Sequence, residues 1–307
     1  MNMALRKNPS RASVGVIGVG IMGLAYARNL LAAGFTVGGF DVDPDRLDAL
    51  ADAGGKPAQS PRQVAERADV ILLALASVDA LQEACLGPDG IVGGVRKGTI
   101  VVEMGTLPLS AKETCRAALE AAGAEVLDCP VSGTGAQAVQ RDLVLYASGE
   151  EAVVDKARPV FDGFARETRY VGSFGAGIKL KYIANLLVTI HNLAAAEALL
   201  LAEKAGLDLP LVYDAIRSGA GTSRMFELRG PLMVEGRYEP ATMKLDVYMK
   251  DISLILDFAR ELDCPTPLMA ASLPYYVAAL AQGRARQDTA ALFAVLKTMA
   301  SKGETAN

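Results

Sequence analysis

Tryptophan is absent, histidine occurs once, at His191, and aromatic residues make up only 6% of the 307 residues. So few rings leave little material for base-stacking platforms. There is no basic block either. Lys+Arg total 31 against Asp+Glu 35, a formal net charge of −4, which is a poor match to nucleic acid. The four cysteines, Cys85, Cys115, Cys129 and Cys264, form no C-x-x-C pair. With a single histidine beside them, a zinc site has almost no ligands to draw on, and no metal is expected. Scattered thiols suit a reducing cytoplasm. No stretch reads as an uninterrupted membrane span, because glycines break the apolar run after residue 12. Residues 1–12 carry Arg6, Lys7 and Arg11 without an apolar run, and read as a disordered leader.

What is present is apolar and patterned. Apolar residues are 51% of the chain and charged residues 21%, which excludes disorder as the main state. The length favours two domains. Short, almost wholly apolar runs at Val14–Gly18, Thr36–Asp41, Val70–Leu75, Ile100–Glu103, Glu125–Asp128 and Leu143–Ser148 read as strands buried on both faces. Helical stretches at 21–33, 43–53, 60–67, 78–86 and 109–122 separate them. A helix at 151–162 and a strand at Thr168–Val171 are expected to close this domain. The alternation predicts an α/β fold, a doubly wound parallel sheet over residues 13–174. From Gly175 no strand is expected. A long helix over 178–204, stopped by Gly206, and helices near 209–218, 222–234, 242–262, 267–282 and 287–302 predict an all-helical domain over 175–307. The long helix is apolar nearly all round, so it should be buried between domains or against a second subunit.

Residues 15–23 read GVIGVGIMG. Gly18, Gly20 and Gly23 form a G-x-G-x-x-G after the first strand and at the start of the first helix, the context of a Rossmann dinucleotide site. Gly18 allows the tight turn, Gly20 lets the pyrophosphate approach the backbone, and Gly23 lets helix and strand pack closely. Val19, Ile21 and Met22 complete the loop, and the helix N-terminus supplies N–H groups to the phosphates. Asp41 ends the second strand about 20 residues further on, where a carboxylate binds the ribose 2′-OH. Asp43 adds a second carboxylate, and no Arg directly follows Asp41, so NAD is favoured over NADP. Otherwise Asp41 is a turn or helix-cap residue.

Four motifs in order then resemble the β-hydroxyacid dehydrogenase family over Val14 to Leu296. The glycine loop, with its Met22-Gly23, is the first. DCPVSGTGA at 128–136 is similar to the family's substrate loop, with Thr134 where a second glycine is common. The resemblance implies that Ser132, Gly133 and Thr134 hold a substrate carboxylate, as a hydroxyl and consecutive N–H groups can. GAGIKLKYIAN at 175–185 places Lys181 at the family's catalytic position and Asn185 one turn later, with Ala184 where an Asn is frequent. Positions i and i+4 share a helix face. Asn192 lies near the same face, and Lys179 points elsewhere. MKDISL at 249–254 places Lys250 toward the cofactor and substrate and Asp251 as a substrate-orienting residue. By looser resemblance Leu75, Ala76 and Thr106 contact the cofactor. His191 is expected to be structural, and Cys129 a packing residue.

The resemblance implies NAD-dependent oxidation of a small 3-hydroxy acid, or reduction of its semialdehyde, with Lys181 as general acid/base. Residues 218–227, SGAGTSRMFE, resemble the branch acting on four-carbon sugar acids such as L-threonate, so this alternative stays open. There Thr222, Ser223 and Arg224 either touch extra hydroxyls or cap a helix. A reader domain that binds NAD without turnover is the alternative of another class. Homodimers or homotetramers built through the helical domain are implied as well, with no nucleic-acid or membrane partner.

Overall fold

The computed structural model describes residues 12–301. All of the expected leader except Ala12 lies outside the described residues. In chain order, the N-terminal part comprises β1 (Ser13–Ile17), α1 (Ile21–Ala32), β2 (Thr36–Phe40), α2 (Pro44–Asp52), β3 (Lys56–Pro57), α3 (Pro61–Ala65), β4 (Val70–Leu73), α4 (Val78–Leu86), β5 (Ile100–Glu103), α5 (Leu109–Ala121), β6 (Glu125–Asp128), β7 (Val131–Ser132), α6 (Gly135–Val139), β8 (Val144–Ala147), α7 (Glu151–Phe164) and β9 (Glu167–Tyr170). After them come α8 (Ala176–Lys204), α9 (Leu209–Arg217), α10 (Arg224–Glu235), α11 (Leu245–Glu261), α12 (Pro267–Ala281) and α13 (Leu292–Ala300).

Six strands form a parallel sheet in the order β3-β2-β1-β4-β5-β6. Its apolar runs serve two cores because successive side chains point to opposite faces. Val14, Val16, Leu72, Val102 and Leu127 pack with residues of α1 and α7. Ile17, Ile71, Leu73, Val101 and Val126 pack with residues of α3, α4 and α5 on the other face. This explains why the strands read as continuous rather than alternating hydrophobic segments.

Two expectations need correction. The runs near 143–148 and 168–171 do not extend the large sheet. As β8 and β9 they pair in parallel with each other, and β8 pairs antiparallel with β7, in a separate three-stranded sheet. Pro130 follows β6 and has no N–H to donate, so the chain leaves that ladder. The short β3, β7 and α6 carry too few residues for a periodic signal. The second correction concerns the long helix, which begins at Ala176 rather than 178 and has 29 residues. Among the described residues it is long and apolar enough to cross a membrane by length and composition, contrary to the expectation that no stretch would qualify. Its buried Asn185, Thr189 and Asn192 are nevertheless hydrogen-bonded to other helices, as in the core of a helical domain.

The chain divides into two compact units inside α8, between Lys181 and Tyr182. The first turn of α8 belongs with the N-terminal unit for a visible reason. Gly177 N–H donates to Ser148 Oγ at 2.9 Å and Ile178 N–H donates to Asp128 Oδ2 at 2.8 Å. A Cβ at Gly177 would stand 2.5 Å from the Tyr146 carbonyl oxygen, so only glycine permits this approach. In the second unit the described residues contain helices and no named strand. Asn192 donates to the Thr289 carbonyl at 2.9 Å and to Tyr276 Oη at 3.3 Å. Asp288 gathers N–H and hydroxyl donors from Thr242, Met243 and Ala290.

Candidate active site

Apart from Lys250, which lies on α11 in the second unit, the predicted cofactor residues lie at the carboxyl edge of the large sheet. The strand order reverses between β1 and β4, where open α/β sheets bind ligands. Gly18 follows β1 with φ +88, a left-handed conformation that favours glycine. Gly20 is the N-cap residue of α1 and has no side-chain capping bond, so the first N–H groups of the helix remain available to a phosphate. A Cβ on Gly23 would lie 1.9 Å from the Gly18 carbonyl oxygen, which accounts for the third glycine by packing alone. Val19 is buried, whereas Ile21 is 75% exposed at the rim.

Asp41 is buried at the end of β2 and pins this loop. Its Oδ2 accepts Val19 N–H at 2.7 Å, and its Oδ1 accepts Asp43 N–H at 3.0 Å. Asp43 caps α2 through the N–H of Asp45. Arg46, which the sequence reading missed, folds back from α2 toward both carboxylates. It lies 3.4 Å from Asp41 and 3.3 Å from Asp43. A Cβ at Gly20 would be 3.5 Å from Arg46 Nη1, so a cation stands beside the pyrophosphate turn. Leu75 reaches the same place, since a Cβ at Gly18 would meet its Cδ2 at 3.1 Å. The 104–106 loop is adjacent, because a Cβ at Gly105 would meet the Leu75 carbonyl oxygen at 2.8 Å. Ala76 and Thr106 belong to these two loops, Ala76 exposed and Thr106 half-buried. These glycines make a cradle that a Cβ would fill, and the residues present fit a dinucleotide.

The substrate motif follows β6. Ser132 ends β7 and is half-buried. Gly133 has φ +144, and a Cβ there would strike Leu143 at 2.4 Å. Thr134 is the N-cap of α6 in a reciprocal capping box. Its N–H donates to Gln137 Oε1 at 3.0 Å, and its hydroxyl accepts Gln137 N–H at 3.4 Å. The Thr134 donors are therefore engaged within the loop, a role that the motif did not reveal. Cys129 is fully buried and burial pushes its thiol upward, consistent with packing.

Lys181 is half-buried in the second turn of α8, and Lys179 is exposed as expected. Asn185 lies one turn further along the helix. Within the helical unit its amide donates to Asp251 Oδ2 at 3.0 Å, and its carbonyl accepts the hydroxyls of Thr189 and Tyr248. Lys250 Nζ stands 3.6 Å from the other Asp251 oxygen. Asn192 is 1% exposed and bonded among helices, so it does not line an open surface. Ser223 caps α10 through Phe226 N–H, and Arg224 pairs with Glu227. The Thr222 hydroxyl is buried without a hydrogen-bond partner. Among the described residues there is no group of three or more metal-ligating side chains.

A parallel sheet in this order, with a glycine turn and an acidic residue ending the second strand, defines the dinucleotide-binding Rossmann class. Comparison with known proteins narrows it. A family described as the NAD binding domain of 6-phosphogluconate dehydrogenase matches residues 13–172. One described as NAD-binding of NADP-dependent 3-hydroxyisobutyrate dehydrogenase matches residues 175–296. The chain is 35% identical over 284 residues to L-threonate dehydrogenase of Cupriavidus necator, covering 92% of this chain and 95% of that protein. The crystal structure of 3-hydroxyisobutyrate dehydrogenase from Salmonella typhimurium matches with TM-score 0.84 and 32% identity, covering 93% of this chain and 100% of that one. The structure of Psf3 in complex with NADP+ and 2-OPP matches with TM-score 0.84 and 27% identity over 92% of this chain and 99% of that one. The chain belongs to the β-hydroxyacid dehydrogenase family.

Proposed function

We propose that this protein transfers hydride between a nicotinamide cofactor and a small hydroxy acid, with Lys181 as general acid/base. The observation that carries this reading is that Lys181 lies in the second turn of a helix whose first turn is bonded to Asp128, the residue that opens the substrate motif, and to Ser148 after β8. The glycine turn and the N-terminus of α1 hold the pyrophosphate, and Asp41 meets the ribose. When bound, the nicotinamide accepts or returns the hydride. In oxidation the neutral Lys181 amine takes the proton of the substrate alcohol, and in reduction its ammonium gives the proton back. Asn185 holds the same oxygen and keeps Lys181 aligned. Ser132, Gly133 and Thr134 take the substrate carboxylate, with Ser132 and Gly133 foremost because Thr134 is tied into its capping box.

NAD is the preferred cofactor in this reading. A 2′-phosphate would meet the buried Asp41 carboxylate, and Arg46 is already shared by Asp41 and Asp43. Three-carbon 3-hydroxy acids and their semialdehydes are the first substrate class. A second, four-carbon acids resembling L-threonate, is favoured by the 35% identity to an L-threonate dehydrogenase and by the unpartnered Thr222 hydroxyl. The protein works in a reducing cytoplasm on this reading, with its cysteines free, and as a homodimer or homotetramer. Absorbance at 340 nm with NAD and NADP separately, against 3-hydroxyisobutyrate, glycerate, 4-hydroxybutyrate, L-threonate and D-erythronate, tests it. NADH formation with one of these acids, abolished in Lys181→Ala, is the expected result. NADH binding without turnover of any acid would favour the reader domain instead.

A further inference from the structure

Three charged side chains that the reaction above does not use meet inside the N-terminal unit. Lys112 on α5 is 1% exposed, Glu103 at the end of β5 is 3% exposed and Asp128 at the end of β6 is fully buried. Lys112 Nζ lies 2.5 Å from Glu103 Oε2 and 2.7 Å from Asp128 Oδ1. Burial pulls the lysine's pKa down, but the two carboxylates outweigh it and hold the ammonium. Burial pushes the Glu103 carboxyl upward, against the pull of Lys112.

The remaining carboxylate oxygens bind backbone. Glu103 Oε1 accepts Gly105 N–H at 2.8 Å, in the loop that carries Thr106. Asp128 Oδ2 accepts Ile178 N–H at 2.8 Å, three residues before Lys181. The same oxygen lies 3.3 Å from Ser148 Oγ, which in turn accepts Gly177 N–H. Charge balance explains the design. Two carboxylates face one ammonium, and the N-terminus of α8 supplies roughly half a positive charge to the second. An apolar residue at 112 would leave the two carboxylates facing each other in a dry site, where one must take up a proton or move apart.

We propose that Lys112 is a positioning residue: it holds Glu103 and Asp128 together so that the cofactor loop at 104–106 and the start of the helix bearing Lys181 keep a fixed spacing. This inference rests on Lys181 being the acid/base. Because transition states tolerate little misplacement, about 1 Å of drift in that helix costs roughly 100-fold in rate.

The test uses the full-length protein carrying Lys112→Met, with Asp128→Asn as a second variant that keeps one acceptor oxygen for either Lys112 or Ile178. Three quantities are measured. They are kcat on the best acid from the 340 nm screen, the Kd for NADH by fluorescence, and hydrogen–deuterium exchange of peptides covering 102–108 and 174–184 and, as internal reference, 13–17 and 70–73. The expected result is a fall in kcat of about 10–100-fold, little change in the Kd for NADH, and faster exchange confined to 102–108 and 174–184, with the reference peptides unchanged. An unchanged kcat, or exchange that rises equally in the reference peptides, overturns the proposal in favour of a purely structural ion cluster. If Lys112→Met does not fold, Asp128→Asn gives the same comparison alone. Should the wild type turn over none of the acids, the proposed activity fails. The exchange pattern still decides whether Lys112 fixes these segments.

Discussion

Asn185 donates its side-chain amide to Asp251 at 3.0 Å, and both residues are buried within the helical unit. Asp251 thus holds Asn185, one turn from the proposed acid/base Lys181, where the motif alone suggested a substrate-orienting residue. A buried hydrogen bond to a charged group is worth about 1.5–3 kcal/mol. Asp251→Ala should lower kcat by roughly 10–100-fold while NADH affinity changes little. Steady-state rates and a fluorescence titration check both. Retained kcat would mean that Asn185 keeps its orientation without Asp251.

Lys181 should be indispensable for proton transfer and dispensable for cofactor binding. Lys181→Met is expected to reduce turnover by about 10²–10⁴-fold, with the protein folded and NADH bound. Loss of NADH binding in this variant would place the residue in cofactor recognition instead.

The second and third glycines of the loop separate binding from folding. A Cβ at Gly23 would collide with the Gly18 carbonyl at 1.9 Å, whereas one at Gly20 would make an ordinary contact with Arg46 at 3.5 Å. Gly23→Ala should therefore lower the thermal midpoint and yield of folded protein, because the collision is with backbone. Gly20→Ala should melt like the wild type yet bind NADH at least about tenfold more weakly, since the methyl stands where the pyrophosphate approaches. Equal melting temperatures for both variants would contradict the geometry.

Asp288 supplies a pH prediction in the helical unit. Burial pushes its carboxyl up, but Arg229, the N–H groups of Ala290 and Thr242 and the Thr242 hydroxyl outweigh this and hold it below the ordinary aspartate range. A depressed folded pKa stabilises the fold fully above the unfolded value, near about 3.9. That contribution is lost as pH falls through the folded value. Asp288→Asn should be less stable at pH 7 by about 1–3 kcal/mol and should lose less stability than the wild type between about pH 4 and 2. Urea midpoints across that range are the measurement, and parallel curves for the two proteins would remove Asp288 from the account.

On the proposed reading, cofactor choice turns on Asp41. Asp41→Asn retains an oxygen to accept Val19 N–H and removes the charge that a 2′-phosphate meets. The ratio of kcat/KM for NADP over NAD should rise by about tenfold or more, the scale of one charged hydrogen-bonding group. An unchanged ratio would transfer discrimination to Arg46.

The sequence by itself determined the alternating βα plan, the glycine turn and the helical second half. Their signals are local. Val14–Ile17, Val70–Leu73 and Ile100–Glu103 are continuous apolar runs because each strand is covered on both faces. Gly18, Gly20 and Gly23 each answer a backbone requirement at a fixed spacing. Lys181, Asn185, Ser132, Lys250 and Asp251 were legible only as motif positions, since one lysine in an apolar helix has no periodic meaning of its own. The partners of these residues belong to tertiary structure. Nothing in the spacing of Glu103, Lys112 and Asp128 shows that β5, α5 and β6 bring two carboxylates onto one ammonium nitrogen. Nor could the runs at 143–148 and 168–171 reveal that they leave the main sheet for a second one. Strand pairing and buried ion contacts are long-range choices, made by which surfaces exclude water together. A local pattern records a residue's need for burial but does not name its partner.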